Sequence, residues 1–156
     1  DQDANLEMLH KLYSVPCGRF VYISSVDVHN AFSGSAYAQA KLRCEQFVRS
    51  SFPDHLIVRP CAMVGKRMRE NTLGRLLSGK KLTVAAGSTF AFVRHSSIPL
   101  DGGGTVTVSG NVMAIKDIAE EFGLSPEYGD FTYRTPPVRA THDTLEEIKA
   151  FKQERE

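Results

Sequence analysis

The spacing of apolar positions divides the chain into elements before any other property is weighed. Leu6, Leu9, Leu12 and Tyr13 recur at helical spacing and predict a helix over residues 3–13, ended by Pro16 and Gly18. Arg19 to Ser25 holds the short, nearly continuous apolar run Phe20-Val21-Tyr22-Ile23, the pattern of a strand buried on both faces of a parallel sheet. A polar loop containing Ser and Gly follows, through about Gly34. Residues 35–52 form the strongest helical segment. Ser33 or Ser35 can cap it, Ala36, Ala38 and Ala40 favour it, and Tyr37, Lys41, Cys44, Phe47 and Val48 line it until Pro53 closes it. His55 to Arg59 reads as a second buried strand, ended by Pro60. Helix, strand, helix, strand in units of this length predicts an α/β fold with parallel strands.

The second half is patterned more weakly. A short helix is expected from Asn71 to Ser78, a strand from Leu82 to Ala86 and another from Phe90 to Val93, where Phe90 and Phe92 alternate as a core face would. Asp101 to Gly104 is a turn leading into the strand Thr105 to Ser109. Ile115, Ile118, Ala119 and Phe122 mark an amphipathic helix stopped by Gly123. Phe131 to Tyr133 is a further strand candidate, and Thr144 to Glu156 a terminal helix whose charge run from Glu146 predicts a solvated face. Met63, Met68 and Met113 read as core gap-fillers.

Composition narrows the picture. A chain of 156 residues predicts one compact domain, or one domain with a small appendage, large enough to form a core without metal or disulfide staples. Nineteen Lys and Arg against eighteen Asp and Glu leave a net charge of +1, which excludes a charged tail and argues against a nucleic-acid partner. No apolar run approaches the ~20 residues of a membrane span, so no membrane partner is expected. Cys17, Cys44 and Cys61 are far apart and form no Cys-x-x-Cys pair, which predicts free thiols and a cytoplasmic location. No secretory leader is expected at the N-terminus. His10, His29, His55, His95 and His142 are scattered without metal-ligand spacing.

The chemistry concentrates around residues 24–41. Tyr37 and Lys41 stand four apart and therefore share one helix face. An ammonium beside a phenol favours phenolate and is expected to lower the tyrosine pKa, so that Tyr37 can exchange a proton with a substrate hydroxyl or carbonyl. Ser25 ends the preceding strand, at the edge where open α/β sheets form their ligand crevice, and its hydroxyl can orient the same oxygen.

This ordered set comprises a strand ending Tyr22-Ile23-Ser24-Ser25, a loop, Tyr37-x-x-x-Lys41 leading into Leu42-Arg43-Cys44-Glu45, and a strand running Ile57-Val58-Arg59-Pro60-Cys61-Ala62-Met63-Val64-Gly65. It resembles the extended short-chain dehydrogenase/reductases, the family of nucleotide-sugar epimerases and dehydratases. The resemblance runs from the first helix to about Val93 and continues faintly over Thr105–Leu124, which is similar to the family's strand and helix in the substrate lobe. It implies a partial Rossmann-like fold, doubly wound on a parallel sheet, with residues 1–93 as the second half of the dinucleotide-binding domain and 94–156 as a reduced α+β substrate lobe. It implies Tyr37 as acid/base, Lys41 as holder of the nicotinamide ribose, and Ser25, with Ser24 beside it, as ligand of the reacting oxygen. Arg59, Pro60, Cys61 and Val64 would lie along the nicotinamide of NAD or NADP. The substrate would be a small molecule, a nucleotide-linked sugar. Paired helices 3–13 and 35–52 would form a homodimer. Asp27 occupies the place of a dehydratase acid, but its neighbour Val26 replaces the second acid, so dehydration is not supported.

The chain also departs from the family. The expected Gly-rich turn that cradles the pyrophosphate is missing, because Gly102 to Gly104 lead into a strand and Gly74 to Lys81 lack the P-loop's closing Ser or Thr. The loop from Ser25 to Tyr37 is short, and His95 to Ile98 runs almost directly into a Gly-rich turn. By the family's order, residue 1 falls within the helix before the Ser-Ser strand. Three readings follow: a piece of a longer enzyme, one half of a split enzyme completed by an N-terminal partner, or a non-catalytic binding module.

Overall fold

A computed structural model of the chain describes residues 2–15, 17–33 and 35–155. Pro16, one of the two expected helix stops, lies outside the described residues, as does Gly34 at the end of the expected loop. The chain runs through α1 (Gln2–Tyr13), β1 (Phe20–Ile23), a 3₁₀ segment (Val26–Ser33), α2 (Ala36–Ser51) and β2 (His55–Pro60). There follow β3 (Ala62–Val64), α3 (Thr72–Leu77), β4 (Thr89–Phe90), β5 (Phe92–Arg94) and a single 3₁₀ turn (His95–Ser97). The chain closes with β6 (Gly104–Val108), β7 (Met113–Ala114), α4 (Ile115–Glu121) and α5 (Thr144–Arg155). Packing divides these elements into two compact units, Asp1–Pro60 with Ile98–Val108 and Cys61–Ser97 with Ser109–Glu156.

The first unit is built on a parallel sheet of order β1-β2-β6, with Ile23 opposite Val58 and Pro60 opposite Val108. β2 is central, and its Leu56, Ile57 and Val58 are buried as the sequence predicts. β1 departs from that expectation. Its four residues are only half-buried, because it stands at the end of the sheet and is covered on fewer sides. β6 corrects another expectation. The resemblance places Thr105 to Ser109 in the substrate lobe, whereas Gly104–Val108 pairs with β2 as the third strand of this sheet. Gly102 and Gly104 adopt φ of 92° and 76°, which only glycine takes without strain, and so turn the chain into β6.

α2 begins where Ser35 accepts a hydrogen bond from the Ala38 N–H at 3.2 Å, satisfying one of the free amides of the first turn. Cys44 and Val48 from α2 form a core with Leu9 of α1, Phe52 and Ile57 of β2. Burying each large apolar side chain of this kind stabilises by about 1.5–3 kcal/mol. Phe20 stacks on Phe52 with ring centroids 4.3 Å apart, which anchors β1 to the end of α2. The loop expected after Ser25 is instead 3₁₀. Val26 and Val28 in it are buried, and two apolar side chains seeking the interior pull the backbone into tight turns.

The second unit holds two small two-stranded sheets, β3 parallel to β5 and β4 antiparallel to β7. Leu73, Leu76, Phe92, Ile115, Ile118 and Phe151 dominate its core. The strand expected at Leu82 to Ala86 does not form. Leu82 and Val84 are buried with the right alternation, but they meet the facing stretch in a single bridge, Val84 to Phe131, with backbone bonds from the Leu82 N–H to the Glu127 carbonyl and from the Gly129 N–H to the Val84 carbonyl and no continuous ladder. The facing stretch follows Pro126 and passes so close at Gly129 that a Cβ there would collide with the Thr83 carbonyl. Phe131 to Tyr133 likewise shows one isolated bridge, at Phe131, with another just beyond it at Arg134, and no strand. The expected strand from Phe90 to Val93 splits between β4 and β5, with the rings of Phe90 and Phe92 stacked at 5.6 Å. α5 forms as predicted, but its charge run is not wholly solvated, because Glu147 is buried. No helix of the described residues is long and apolar enough to cross a membrane.

Candidate functional site

The carboxyl ends of β1 and β2 carry the residues singled out in the sequence. The Ser24 N–H donates to the Val58 carbonyl at 2.7 Å, so the ladder runs one residue beyond β1 before the chain turns away. Ser25 then accepts the Asp27 N–H on its Oγ at 3.0 Å, which orients its hydroxyl at the strand mouth. Tyr37 and Lys41 follow on the first two turns of α2.

Ser25, Tyr37 and Lys41 come together. The Tyr37 phenol lies close enough to the Ser25 hydroxyl for Ser25 to pull its pKa down, while the side of the ring remains open, with the residue 41% exposed. The Lys41 ammonium turns inward. Its Nζ lies 5.7 Å from the centre of the Tyr37 ring and 5.3 Å from that of Tyr22, and it donates to the Ile23 carbonyl at 3.4 Å. A solvated lysine would do none of these.

The electrostatics correct one expectation. Tyr37 titrates above the usual tyrosine value, not below it. Burial raises it first and the Asp27 carboxylate adds to this, while the Ser25 hydrogen bond acts in the opposite direction. The reason is geometric. The Lys41 ammonium lies over the ring, not beside the phenol oxygen, and burial lowers its own pKa against the supporting influence of Cys44 and Glu45. At neutral pH Tyr37 is therefore a protonated phenol, ready to donate. The neighbouring Tyr22 is raised further by burial and by Cys44.

Ser24 and Arg59 are engaged elsewhere, with a residue the sequence reading passed over. Glu45 is fully buried on α2, one turn beyond Lys41. Ser24 Oγ donates to its Oε2 at 2.6 Å, and Arg59 donates through Nε and Nη2 at 2.6–3.2 Å. Arg49 Nη2 reaches Glu45 Oε1 at 2.7 Å and Thr105 Oγ1 of β6 at 3.1 Å. Burial would push the Glu45 carboxyl up, but Arg59, Ser24 and Arg49 together hold it below the usual carboxylate range. The available signal was an acidic residue set among Ala40, Cys44 and Val48 in the buried stripe of the helix.

Pro60 is buried at the end of β2. Cys61 and Val64 belong to the second unit. Val64 is fully buried in its core, and the buried Cys61 thiol is pushed up by desolvation, which Gly110 and Ser109 partly oppose. No cluster of three metal-ligating side chains occurs among the described residues. A cavity of about 190 Å³ in the first unit lies against Tyr13, Cys17, Phe52 and Asp54, next to the amino-terminal ends of the strands and away from the Ser25–Tyr37 mouth.

A parallel three-stranded sheet, joined from β1 to β2 through α2 and bearing its polar side chains at the strand ends, is a partial Rossmann-like α/β architecture. No family model and no curated protein matches the sequence. The fold is matched by solved structures of UDP-sugar 4-epimerases. UDP-glucuronic acid 4-epimerase from Bacillus cereus, in complex with UDP-glucuronic acid and NAD, is 18% identical with a TM-score of 0.58, over 96% of this chain and 60% of that one. A UDP-galactose 4-epimerase is 17% identical with a TM-score of 0.61, over 97% and 67%. UDP-N-acetylglucosamine 4-epimerase from Methanobrevibacter ruminantium, in complex with UDP-N-acetylmuramic acid, is 18% identical with a TM-score of 0.57, over 98% and 66%. The chain thus spans 60% to 67% of the length of these three proteins.

Proposed function

We propose that this chain carries the proton-transfer site of an NAD(P)-linked reaction at a hydroxyl or carbonyl carbon of a nucleotide-linked sugar, of the epimerase or oxidoreductase kind. The observation that supports this reading is the placing of Tyr37 beside Ser25 at the mouth of a parallel sheet, with the Lys41 ammonium turned inward over the Tyr37 ring.

Tyr37 hands its proton to the substrate oxygen as a carbonyl becomes a hydroxyl, and takes it back in the reverse direction. Its raised pKa keeps that proton in place at neutral pH. Ser25, close to the phenol, offers its hydroxyl to the same substrate oxygen and so fixes where it sits. Lys41 places a positive charge against the ring and offers its ammonium to a ribose hydroxyl. Ser24 and Arg59, committed to Glu45, support the wall of the site and leave Lys41 as the chief polar contact for a nicotinamide ribose. A bound nicotinamide would supply the hydride chemistry.

The described residues suit only that end of the dinucleotide. Gly102 to Gly104 turn into β6, and Gly74 lies within α3, so neither offers a strand-to-helix cradle for a pyrophosphate. The pyrophosphate is accordingly assigned to polypeptide outside this sequence, an N-terminal half in the same protein or in a partner chain. A second copy of this chain is proposed to pack on α1 and α2, where Met8, Leu12 and Tyr13 stand 61%, 39% and 58% exposed. A monomer by light scattering at high micromolar concentration would remove the dimer.

The test of the activity is Tyr37→Phe in the protein complete with its dinucleotide-binding half, assayed with NAD and either UDP-glucuronic acid or UDP-galactose. Turnover is expected to fall by about 10²–10⁴-fold with the melting temperature unchanged. A Phe variant that turns over normally would overturn the role given to Tyr37.

A further inference from the structure

Glu45 stands in the interior of the first unit, and its partners come from every layer around it. Ser24 lies at the end of β1, Arg59 at the end of β2, and Arg49 one turn further along α2, bridging in turn to Thr105 of β6. One carboxylate thus joins α2 directly to the ends of β1 and β2, and through Arg49 to β6. A leucine could fill such a position at similar or lower cost, because desolvating a carboxylate and its arginines consumes much of what their attraction returns. What a leucine cannot supply is direction. Hydrogen bonds of 2.6–3.2 Å to four nitrogen and oxygen donors fix the helix in translation and rotation against the strand ends.

The residues fixed in this way are those of the proposed site. Ser24 immediately precedes Ser25, so the bond from Ser24 Oγ to Glu45 sets the strand end from which the Ser25 hydroxyl reaches Tyr37. Lys41 lies one turn before Glu45 on the same helix. We infer that Glu45 is the positioning residue of this site: by binding Ser24, Arg59 and Arg49 at once, it sets the register between α2 and the strand ends that brings Tyr37, Lys41 and Ser25 together. The inference rests on the functional reading above. Electrostatics agree with it, since the Glu45 carboxylate is among the influences that hold the buried Lys41 ammonium in its charged form. The other titratable groups facing this cluster are Cys44 on α2 and Tyr22 on β1, with Arg49 and Arg59 as the compensating cations.

Two variants test this without any cofactor or turnover. Ser24→Ala removes the strand-end bond and leaves both arginine pairs, so the fold is retained. The phenol of residue 37, identified by difference from Tyr37→Phe, is expected to titrate at higher pH as its Ser25 bond loosens. In Glu45→Gln, nitrogen-detected NMR of the lysine ammonium groups, assigned with Lys41→Arg, is expected to show Lys41 titrating at lower pH. Loss of melting temperature alone is what a purely structural Glu45 predicts. An unmoved Tyr37 titration in Ser24→Ala overturns the inference, as does an unmoved Lys41 titration in a folded Glu45→Gln. If Glu45→Gln does not fold, Ser24→Ala decides. Because neither readout requires activity, a Tyr37→Phe protein that still turns over would count against the proposed reaction and leave this result standing.

Discussion

Two buried carboxylates, one in each unit, use the same chemistry over different reach. Glu147 of α5 accepts from the Arg94 N–H at 3.2 Å, from Arg94 Nε at 3.1 Å and from Ser97, all within the short stretch that ends β5. Arg94 also holds Glu154 at 2.9 Å, so it keeps a partner if Glu147 is lost. Glu45, by contrast, gathers one helix and two strand ends directly and a third strand through Arg49, and Arg59 has no other acidic partner among the described residues of its unit. The first arrangement pins a helix to one strand end. The second organises a sheet, and the reactive side chains sit on the parts it organises.

Removing each carboxylate is the strongest way to break this contrast. Glu45→Ala leaves Arg59 and Ser24 facing an emptied interior and is expected to cost about 3–5 kcal/mol of unfolding free energy. Glu147→Ala should cost about 1.5–3 kcal/mol, the scale of a charged hydrogen bond, because Arg94 retains Glu154. Urea unfolding of the two variants orders them, and equal losses would erase the distinction. Acid sharpens it further. Both carboxyls are held below their ordinary value of 4.5, against the opposing effect of burial. Their contribution is therefore complete above that value and lost as the pH falls through the lower folded ones. Melting temperatures followed downward from about pH 5 should fall less steeply in Glu45→Gln than in the parent, since the variant has no such proton to take up. The smallest effect belongs to the start of α2. Ser35→Ala removes the bond to the Ala38 N–H and should cost about 1 kcal/mol in thermal unfolding.

Local pattern reaches some of this structure and stops short of the rest for a physical reason. The periodicity of residues 35–52 and the apolar run from His55 locate α2 and β2 within a residue of their ends, because a capped amphipathic helix and a central buried strand are specified by their own side chains. Tyr37 and Lys41 are legible together because four residues on a helix bring them to one face. Glu45 is legible only as an anomaly, since its partners stand 21, 14 and 4 residues away and two of them reach it only when the sheet has formed. The same holds for β6, whose own alternation permits a strand without saying which sheet it joins. Leu82 to Ala86 errs in the opposite direction. Its alternation is correct, but a strand also needs a regular ladder, and the stretch around Gly129 meets it in one bridge and scattered backbone bonds.

The reach of Glu45 bears on how the first unit opens. Peeling away β1 or β2 must break bonds on the carboxylate, and peeling away β6 takes Thr105 from the Arg49 that holds it, so each strand that loosens disturbs the partners of one buried charge. Amide protons of Ile23, Val58 and Val106, although they lie on separate strands, should then exchange with solvent through a common breathing event of a single free energy, and the sheet should behave as one foldon.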